Sequence, residues 1–248
     1  MRKVLIIANW KMNKLIDESL TFAKQLVKSA KGVNEREIVI CPSFTLLASL
    51  RDAVKNSNIK LGAQDMFYEQ SGAFTGEISP LMLKELGCEY VLIGHSERRS
   101  YFNESNEDVN KKIKSALANG IKPIMCIGER LEQRRKDETF DVIEDQLLIG
   151  LSGIPKEALK KVVIAYEPVW AIGTGVNATP SQAEEVHTFI RRLFEENFSG
   201  IADSIRILYG GSVTPNNSKE LLSQRNVDGL LVGGASLDVK KFIEIVKN

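Results

Sequence analysis

Short hydrophobic runs alternate with longer amphipathic stretches along the whole chain. The short runs are mostly apolar without polar alternation, which is typical of parallel strands buried on both faces. They predict eight strands, at residues 4–9, 38–41, 60–64, 90–94, 123–127, 162–167, 207–210 and 230–233. The amphipathic stretches predict eight helices, at residues 17–31, 45–55, 80–86, 107–119, 140–151, 181–198, 219–223 and 239–247. Thr179, Pro180 and Gln182 form a capping-box signature at the start of the sixth helix.

Strands that alternate with helices pair in parallel through right-handed crossovers. Eight strand–helix units in 248 residues average about 31 residues each, which matches a closed (β/α)8 barrel of the α/β class. An open doubly wound sheet is the alternative, but it usually carries a GxGxxG turn after its first strand, and residues 9–13 read Asn-Trp-Lys-Met-Asn. No linker or change of composition divides the chain, so we expect a single domain over residues 1–248.

The composition is that of an ordinary globular protein, with 43% hydrophobic and 26% charged residues. A net charge of +1 creates no global field that would attract nucleic acid or an anionic membrane, so we expect neither as a partner. No apolar run approaches the roughly 20 residues of a membrane-spanning helix. The apolar stretch after Met1 is too short for a signal peptide, and we expect an unprocessed, cytoplasmic protein.

Cysteine and histidine are sparse. Cys41, Cys88 and Cys126 are odd in number and match no zinc-binding spacing, so we interpret them as small buried hydrophobic side chains. Because His95 and His187 are the only histidines of the sequence, we expect no histidine-based metal site.

Polar residues directly after the strands are the candidates for function, because a (β/α)8 barrel carries its site at the carboxyl ends of its strands. Asn9 and Lys11 follow strand 1, where Lys11 is either a fixed cation for an anionic substrate or a solvated loop lysine. His95 follows strand 4 at the start of a helix, whose dipole is expected to lower the pKa of His95 and keep the imidazole neutral. Glu97 pairs with Lys11 or with a neighbouring arginine, and the sequence leaves both partners open.

Glu167 follows five apolar residues of strand 6 and is either a catalytic carboxylate or a surface carboxylate at the start of a loop. Partial burial would raise the pKa of Glu167 toward the range of a general base. The eleven residues that follow include Trp170 and Ile172, which favours a lid that packs over the site. This lid comprises Pro168, Val169, Trp170, Ala171, Ile172, Gly173, Thr174, Gly175, Val176, Asn177 and Ala178.

Glycine pairs follow the last two strands, at residues 210–211 and 233–234. Glycine lets backbone N–H groups approach a ligand closely, and a helix N-terminus favours an anion. Barrels of this class frequently bind phosphate after strands 7 and 8. One pair alone fits a tight turn, but pairs after both strands predict a phosphate site.

Taken together, these segments resemble triosephosphate isomerases over essentially the whole chain. The resemblance rests on residues 9–13, 62–64, 76–77, 93–99, 126–129, 165–175, 209–212 and 231–236, which follow the order of the family. It implies a TIM barrel and an isomerase of glycolysis and gluconeogenesis that interconverts D-glyceraldehyde 3-phosphate and dihydroxyacetone phosphate. No metal or other cofactor is implied.

The resemblance also implies roles for the matching residues. Glu167 is the base that moves a proton between C1 and C2 through an enediolate, and His95 polarises the substrate oxygens as a neutral imidazole. Asn9 and Lys11 stabilise the enediolate, and Glu97 belongs to the catalytic group without a defined role. The residues that bind substrate or its phosphate are Asn9, Lys11, Gly173, Ser212, Gly233 and Gly234.

Residues 65–79 resemble the family's long loop that reaches into a partner subunit, which implies a homo-oligomer of at least two chains. Thr75 would approach the partner's pocket, with Gln64 and Phe74 at the interface, whereas packing within its own chain is the alternative for this loop.

Two departures from the family stand out. Asp65 replaces an Asn found in many members, and residues 176–178 read Val-Asn-Ala instead of a common Lys-Thr-Ala.

Two other functions stay open at this point. A phosphosugar isomerase for a larger substrate would use the same fold, although the lid favours a three-carbon ligand. A phosphate-binding homologue without catalysis would be expected to lack Glu167, His95 or Lys11, and all three are present.

Overall fold

The computed structural model describes residues 2–172, 178–198 and 200–248. In this part of the chain eight parallel strands close into a barrel in sequence order, which confirms the predicted (β/α)8 fold. Their ends differ from the predicted ones by at most two residues. The strands are β1 (Val4–Asn9), β2 (Arg36–Cys41), β3 (Ile59–Ala63), β4 (Cys88–Ile93), β5 (Lys122–Ile127), β6 (Val163–Tyr166), β7 (Arg206–Tyr209) and β8 (Gly229–Val232).

Helices surround the barrel. Within the described residues they are α1 (Ile16–Ser29), α2 (Leu47–Val54), α3 (Pro80–Glu85), α4 (Ser96–Tyr101), α5 (Asn106–Ala118), α6 (Leu131–Arg135), α7 (Thr139–Gly150), α8 (Lys156–Leu159), α9 (Pro180–Asn197), α10 (Pro215–Leu222) and α11 (Val239–Lys247). The helix expected to start at His95 is α4, although the amphipathic pattern gave it no bounds. The pattern missed α6 and α8, because helices of four or five residues are too short to show a period. The capping box of α9 is confirmed. No helix in these ranges is long and apolar enough to cross a membrane.

Both faces of each strand are buried. Leu5 and Ile7 belong to a hydrophobic cluster inside the barrel, whereas Ile6 and Ala8 pack in the cluster between the barrel and the helices. Because inward and outward positions are equally dry, the strands show no polar alternation in sequence. The three cysteines are free and buried, as the sequence predicted.

A charged cluster joins the amino-terminal ends of four strands at the floor of the barrel. Glu37 of β2 lies 2.7 Å from Lys60 Nζ of β3 and 2.6 Å from Arg206 Nη1 of β7. The Tyr90 hydroxyl of β4 donates to Glu37 at 2.7 Å. Burial raises the pKa of Glu37, but these three donors outweigh it and lower the pKa to about 2.

Candidate active site

The carboxyl ends of the strands surround a cavity of about 790 Å³. The barrel therefore brings together residues that the sequence placed after five different strands. No group of three or more metal-binding side chains occurs among the residues that the structure describes. The predicted residues that line the cavity are Asn9, Lys11, His95, Glu167, Ile172, Gly210, Gly211, Ser212, Gly233 and Gly234.

Glu167 follows β6 and is buried in the wall of this cavity. Its Oε1 lies 3.0 Å from His95 Nε2, and its Oε2 accepts a hydrogen bond of 2.9 Å from the Ser96 N–H. Burial raises the pKa of Glu167, but His95 and the Ser96 N–H outweigh it, so the net shift is downward. The expectation that burial would leave this pKa raised is wrong for this arrangement, and Glu167 is a carboxylate here.

His95 is fixed at the amino terminus of α4. The chain turns at Gly94 with φ of +73°, where an L side chain is strained and a Cβ would lie 2.8 Å from Val109. The Glu97 N–H donates to His95 Nδ1 at 3.2 Å, so Nδ1 carries no proton. The imidazole therefore presents its Nε2–H to Glu167.

The pKa of His95 reflects its neighbour more than the helix. Burial lowers this pKa, but the Glu167 carboxylate outweighs burial, and the net shift is upward. The predicted lowering by the helix dipole is wrong for this conformation. A helix of six residues has a weak dipole, whereas the carboxylate lies only 3.0 Å from Nε2.

Lys11 is held in a left-handed conformation with φ of +52°. Its N–H donates to Asn9 Oδ1 at 3.1 Å, and its carbonyl accepts from Gln64 Nε2 at 2.8 Å. Its Nζ lies 2.5 Å from Glu97 Oε1, so Glu97 pairs with Lys11 rather than with an arginine. Sequence reasoning missed that Gln64 holds the Lys11 backbone. The feature that could have indicated this is the position of its amide side chain directly after a strand.

The two glycine pairs serve different purposes. A Cβ at Gly210 would lie 3.0 Å from Glu167 Cγ, and one at Gly211 would lie 2.2 Å from the Tyr209 hydroxyl, so both are glycine for reasons of packing. A Cβ at Gly234 would meet open space, and one at Gly233 would come within 3.7 Å of Lys11 Cε only. The second pair therefore leaves its backbone accessible to a ligand beside the Lys11 side chain.

Comparison with known proteins agrees with this geometry. A family model described as triosephosphate isomerase matches residues 4–248. The chain belongs to the triosephosphate isomerase family. The triosephosphate isomerase of Endomicrobium trichonymphae is 52% identical over 100% of this chain and 99% of its own length. Those of Dictyoglomus thermophilum and Carboxydothermus hydrogenoformans are 53% and 51% identical over 100% of this chain and 100% and 99% of their own lengths. The resemblance seen in the sequence, and with it the isomerase class of enzyme, is confirmed.

The first residues of the predicted lid contact Glu129. The Trp170 Nε1–H donates to Glu129 Oε1 at 2.8 Å, and Arg134 Nη1 lies 3.0 Å from the same oxygen. The Arg134 guanidinium also lies over the Trp170 ring, 4.8 Å from its centre. Sequence reasoning gave Glu129 no role. The feature that could have indicated one is its position as an acidic residue shortly after β5. The predicted lid residues Gly173, Thr174, Gly175, Val176 and Asn177 lie outside the described residues.

The loop predicted to reach a partner is partly packed within its own chain. Met66 is buried there, and the Phe67 and Phe74 rings lie 4.6 Å apart. Thr75 is exposed, and Phe74 is 42% exposed. Large apolar side chains are also exposed after β1, on α1 and α3, and at the end of α4, namely Met12, Leu15, Ile16, Leu81, Met82, Tyr101 and Phe102.

Proposed function

We propose that this chain interconverts D-glyceraldehyde 3-phosphate and dihydroxyacetone phosphate, a step of glycolysis and gluconeogenesis. The observation that supports this most is the Glu167 carboxylate beside the His95 Nε2–H, in a cavity that also holds the Lys11 ammonium. Moving a proton between carbons next to a carbonyl requires a base and a donor to the developing oxyanion. Protein side chains supply both, so the reaction needs no cofactor.

Glu167 takes the proton from one carbon and returns it to the next. The bound substrate would displace the Ser96 N–H and His95 from the carboxylate oxygens. Losing these two partners removes the main opposition to burial, which is the largest influence on this pKa, and leaves the more distant Lys11 charge to lower it. The pKa of Glu167 then rises, and the carboxylate becomes a stronger base when the substrate is in place.

His95 donates its Nε2–H to the substrate oxygens at C1 and C2. Once Glu167 turns to the substrate, the main cause of the raised pKa of His95 is removed and burial favours the neutral ring. The Glu97 N–H at Nδ1 keeps the proton on Nε2. A neutral donor can stabilise the enediolate without first losing a proton to it.

Asn9, Lys11 and the second glycine pair hold the anionic substrate. A Cβ at Gly233 would lie 3.7 Å from Lys11 Cε, so the Lys11 side chain runs beside the proposed phosphate site. Ser212, Gly233 and Gly234 line the same cavity and offer hydroxyl and backbone donors to phosphate. Gly173 remains a proposed phosphate contact from the lid.

The experiment is to follow interconversion of the two triose phosphates without added metal or cofactor, with Glu167→Asp alongside. This change withdraws the carboxylate by one methylene and keeps its charge, so kcat should fall about 100-fold. Glu157→Asp, at an exposed carboxylate of α8, is the matched control and should keep the wild-type rate. An inactive wild type that still binds inorganic phosphate would contradict the proposal and favour a non-catalytic homologue.

We also propose that the chain forms at least a dimer. Phe74, beside the exposed Thr75, and the apolar side chains exposed on neighbouring segments of the sequence are solvated poorly by water, which supports burial against a partner. Thr75→Arg should yield a monomer with low activity in analytical ultracentrifugation and kinetics, whereas Ser152→Arg, at an exposed site after α7, should not. A fully active dimer of the first variant would contradict the interface.

A cytoplasmic location is part of the proposal. Three buried free thiols suit a reducing compartment. The net charge of +1 also supports the expectation that neither nucleic acid nor a membrane is a partner.

A further inference from the structure

Asp65 belongs to a cluster of four charged side chains beside the active site. Its Oδ2 lies 2.8 Å from Arg98 Nε, and its Oδ1 lies 2.7 Å from Lys112 Nζ. Glu104 completes the cluster, 3.0 Å from both Arg98 and Lys112. Asp65, Glu104 and Lys112 are buried, and the two acids balance the two bases. Such a cluster is stable only while every charge keeps its partner.

The cluster is attached to the helix that begins at His95. Arg98 lies on α4, and its N–H donates to the His95 carbonyl at 2.8 Å. Ser96, whose N–H contacts Glu167, and Glu97, which pairs with Lys11, are in the first turn of the same helix. A shift of Arg98 therefore moves the backbone that carries His95 and these two contacts.

The residue before Asp65 is attached to the other side of the site. Gln64 donates to the Lys11 carbonyl at 2.8 Å and to the Cys41 carbonyl at 3.0 Å. The Gln64 side chain thus contacts the loop that carries Lys11, and the Asp65 side chain contacts α4. Both contacts come from consecutive residues directly after β3, so the backbone that joins them limits how far their two targets can move apart.

We propose that Asp65 is a positioning residue for the reaction, because its carboxylate fixes α4 and His95 relative to the loop that carries Lys11. This inference rests on the proposed isomerase function. It concerns a position where this chain carries an acid, and the charge is essential to the argument. An amide at residue 65 would leave the cluster with a net positive charge and would turn an N–H toward Arg98 or Lys112.

Protonation of Asp65 in the wild type removes the same negative charge that the Asp65→Asn substitution removes. The charged groups that face it are Arg98 of α4, Glu104 between α4 and α5, and Lys112 of α5. Burial raises the pKa of Asp65 and, with Glu104, outweighs the two cations, giving a pKa of about 6. Below this pH the wild type loses the charge, as the amide variant does at every pH.

The test compares Asp65→Asn with Asp228→Asn. Asp228 is a matched control, because it is also buried between two cations, 2.7 Å from Arg191 and 2.6 Å from Arg2, but near the amino-terminal end of the barrel. Asp65→Asn should lower kcat about tenfold at pH 7.5 with little change in KM. The ratio of wild-type to variant kcat should approach one below pH 6. Asp65→Glu should recover most of the rate, and Asp228→Asn should keep kcat while losing stability.

A second measurement does not depend on activity. The ring ¹⁵N resonances of His95 without substrate should shift in Asp65→Asn, while those of His187 stay in place as the internal reference. If the wild type proves inactive but the His95 resonances still shift in Asp65→Asn, the proposed function is refuted and the positioning role of Asp65 is supported. Unchanged kcat and unchanged His95 resonances would overturn the inference. A dissociated Asp65→Asn variant would overturn it too, because Asp65 would then act through assembly.

Discussion

His187 links the stability of the barrel to pH. It is fully buried on α9, with Nδ1 3.0 Å from the Asn226 carbonyl. Its Nε2 has no hydrogen-bond partner among the described residues, and its ring meets the edge of Tyr166, the residue before Glu167. Burial lowers the pKa of His187 from 6.5 to about 4. The folded protein therefore holds a neutral imidazole where the unfolded chain takes up a proton.

The sign and size of the effect follow from these two pKa values. As the pH falls below 6.5, the unfolded chain binds a proton that the folded chain refuses until about pH 4, so the free energy of unfolding falls over this interval. At pH 5 the loss is about 2 kcal/mol, and below pH 4 it approaches about 3 kcal/mol.

The assay is urea unfolding at pH 7 and pH 5, at one protein concentration, of the wild type and His187→Gln. Glutamine can donate to the Asn226 carbonyl without titrating. The fall in unfolding free energy from pH 7 to pH 5 should be about 2 kcal/mol smaller in the variant. Asp65 also titrates in this range, but it does so in both proteins and cancels in the difference. Equal pH dependence of the two proteins would refute the reasoning.

Two further predictions concern the site and the barrel floor. Gly210→Ala places a methyl group 3.0 Å from Glu167 Cγ and should lower kcat about tenfold, whereas Gly234→Ala meets open space in the protein and should raise KM instead. Steady-state kinetics distinguish the two, and an unchanged kcat for Gly210→Ala would contradict the contact. Glu37→Gln weakens the acceptor of Arg206 and should lower the free energy of unfolding at pH 7 by about 3 kcal/mol. This difference should vanish as the pH falls from 4.5 toward 2, and a constant difference in acid unfolding would contradict it.

The strands were predictable because their burial leaves a signal in hydrophobicity alone. Leu5 faces the interior of the barrel and Ile6 faces the helices, and both environments demand apolar side chains. A run of apolar residues therefore identifies each strand without knowledge of its neighbours. Asn9, Lys11 and Glu167 were found as candidates for a related reason, since they are polar residues at or just past the end of an apolar run.

The partners of these residues were decided only by the tertiary structure. Lys11 meets Glu97, and Glu167 meets His95, across different strands whose separation is fixed when the barrel closes. The directions of the His95 and Glu167 pKa shifts were predicted wrongly from local features, because each depends on the charge of the other at 3.0 Å.

Asp65 shows the same division between sequence and structure. The sequence places an acid directly after Gln64, but the folded chain alone surrounds it with Arg98, Glu104 and Lys112. Burial depends on a residue's own hydrophobicity and leaves a local pattern, so the sequence by itself determined the barrel and the residues at its mouth. Electrostatic interaction depends on distance in space, so only the closed barrel determined which charges meet and in which protonation states.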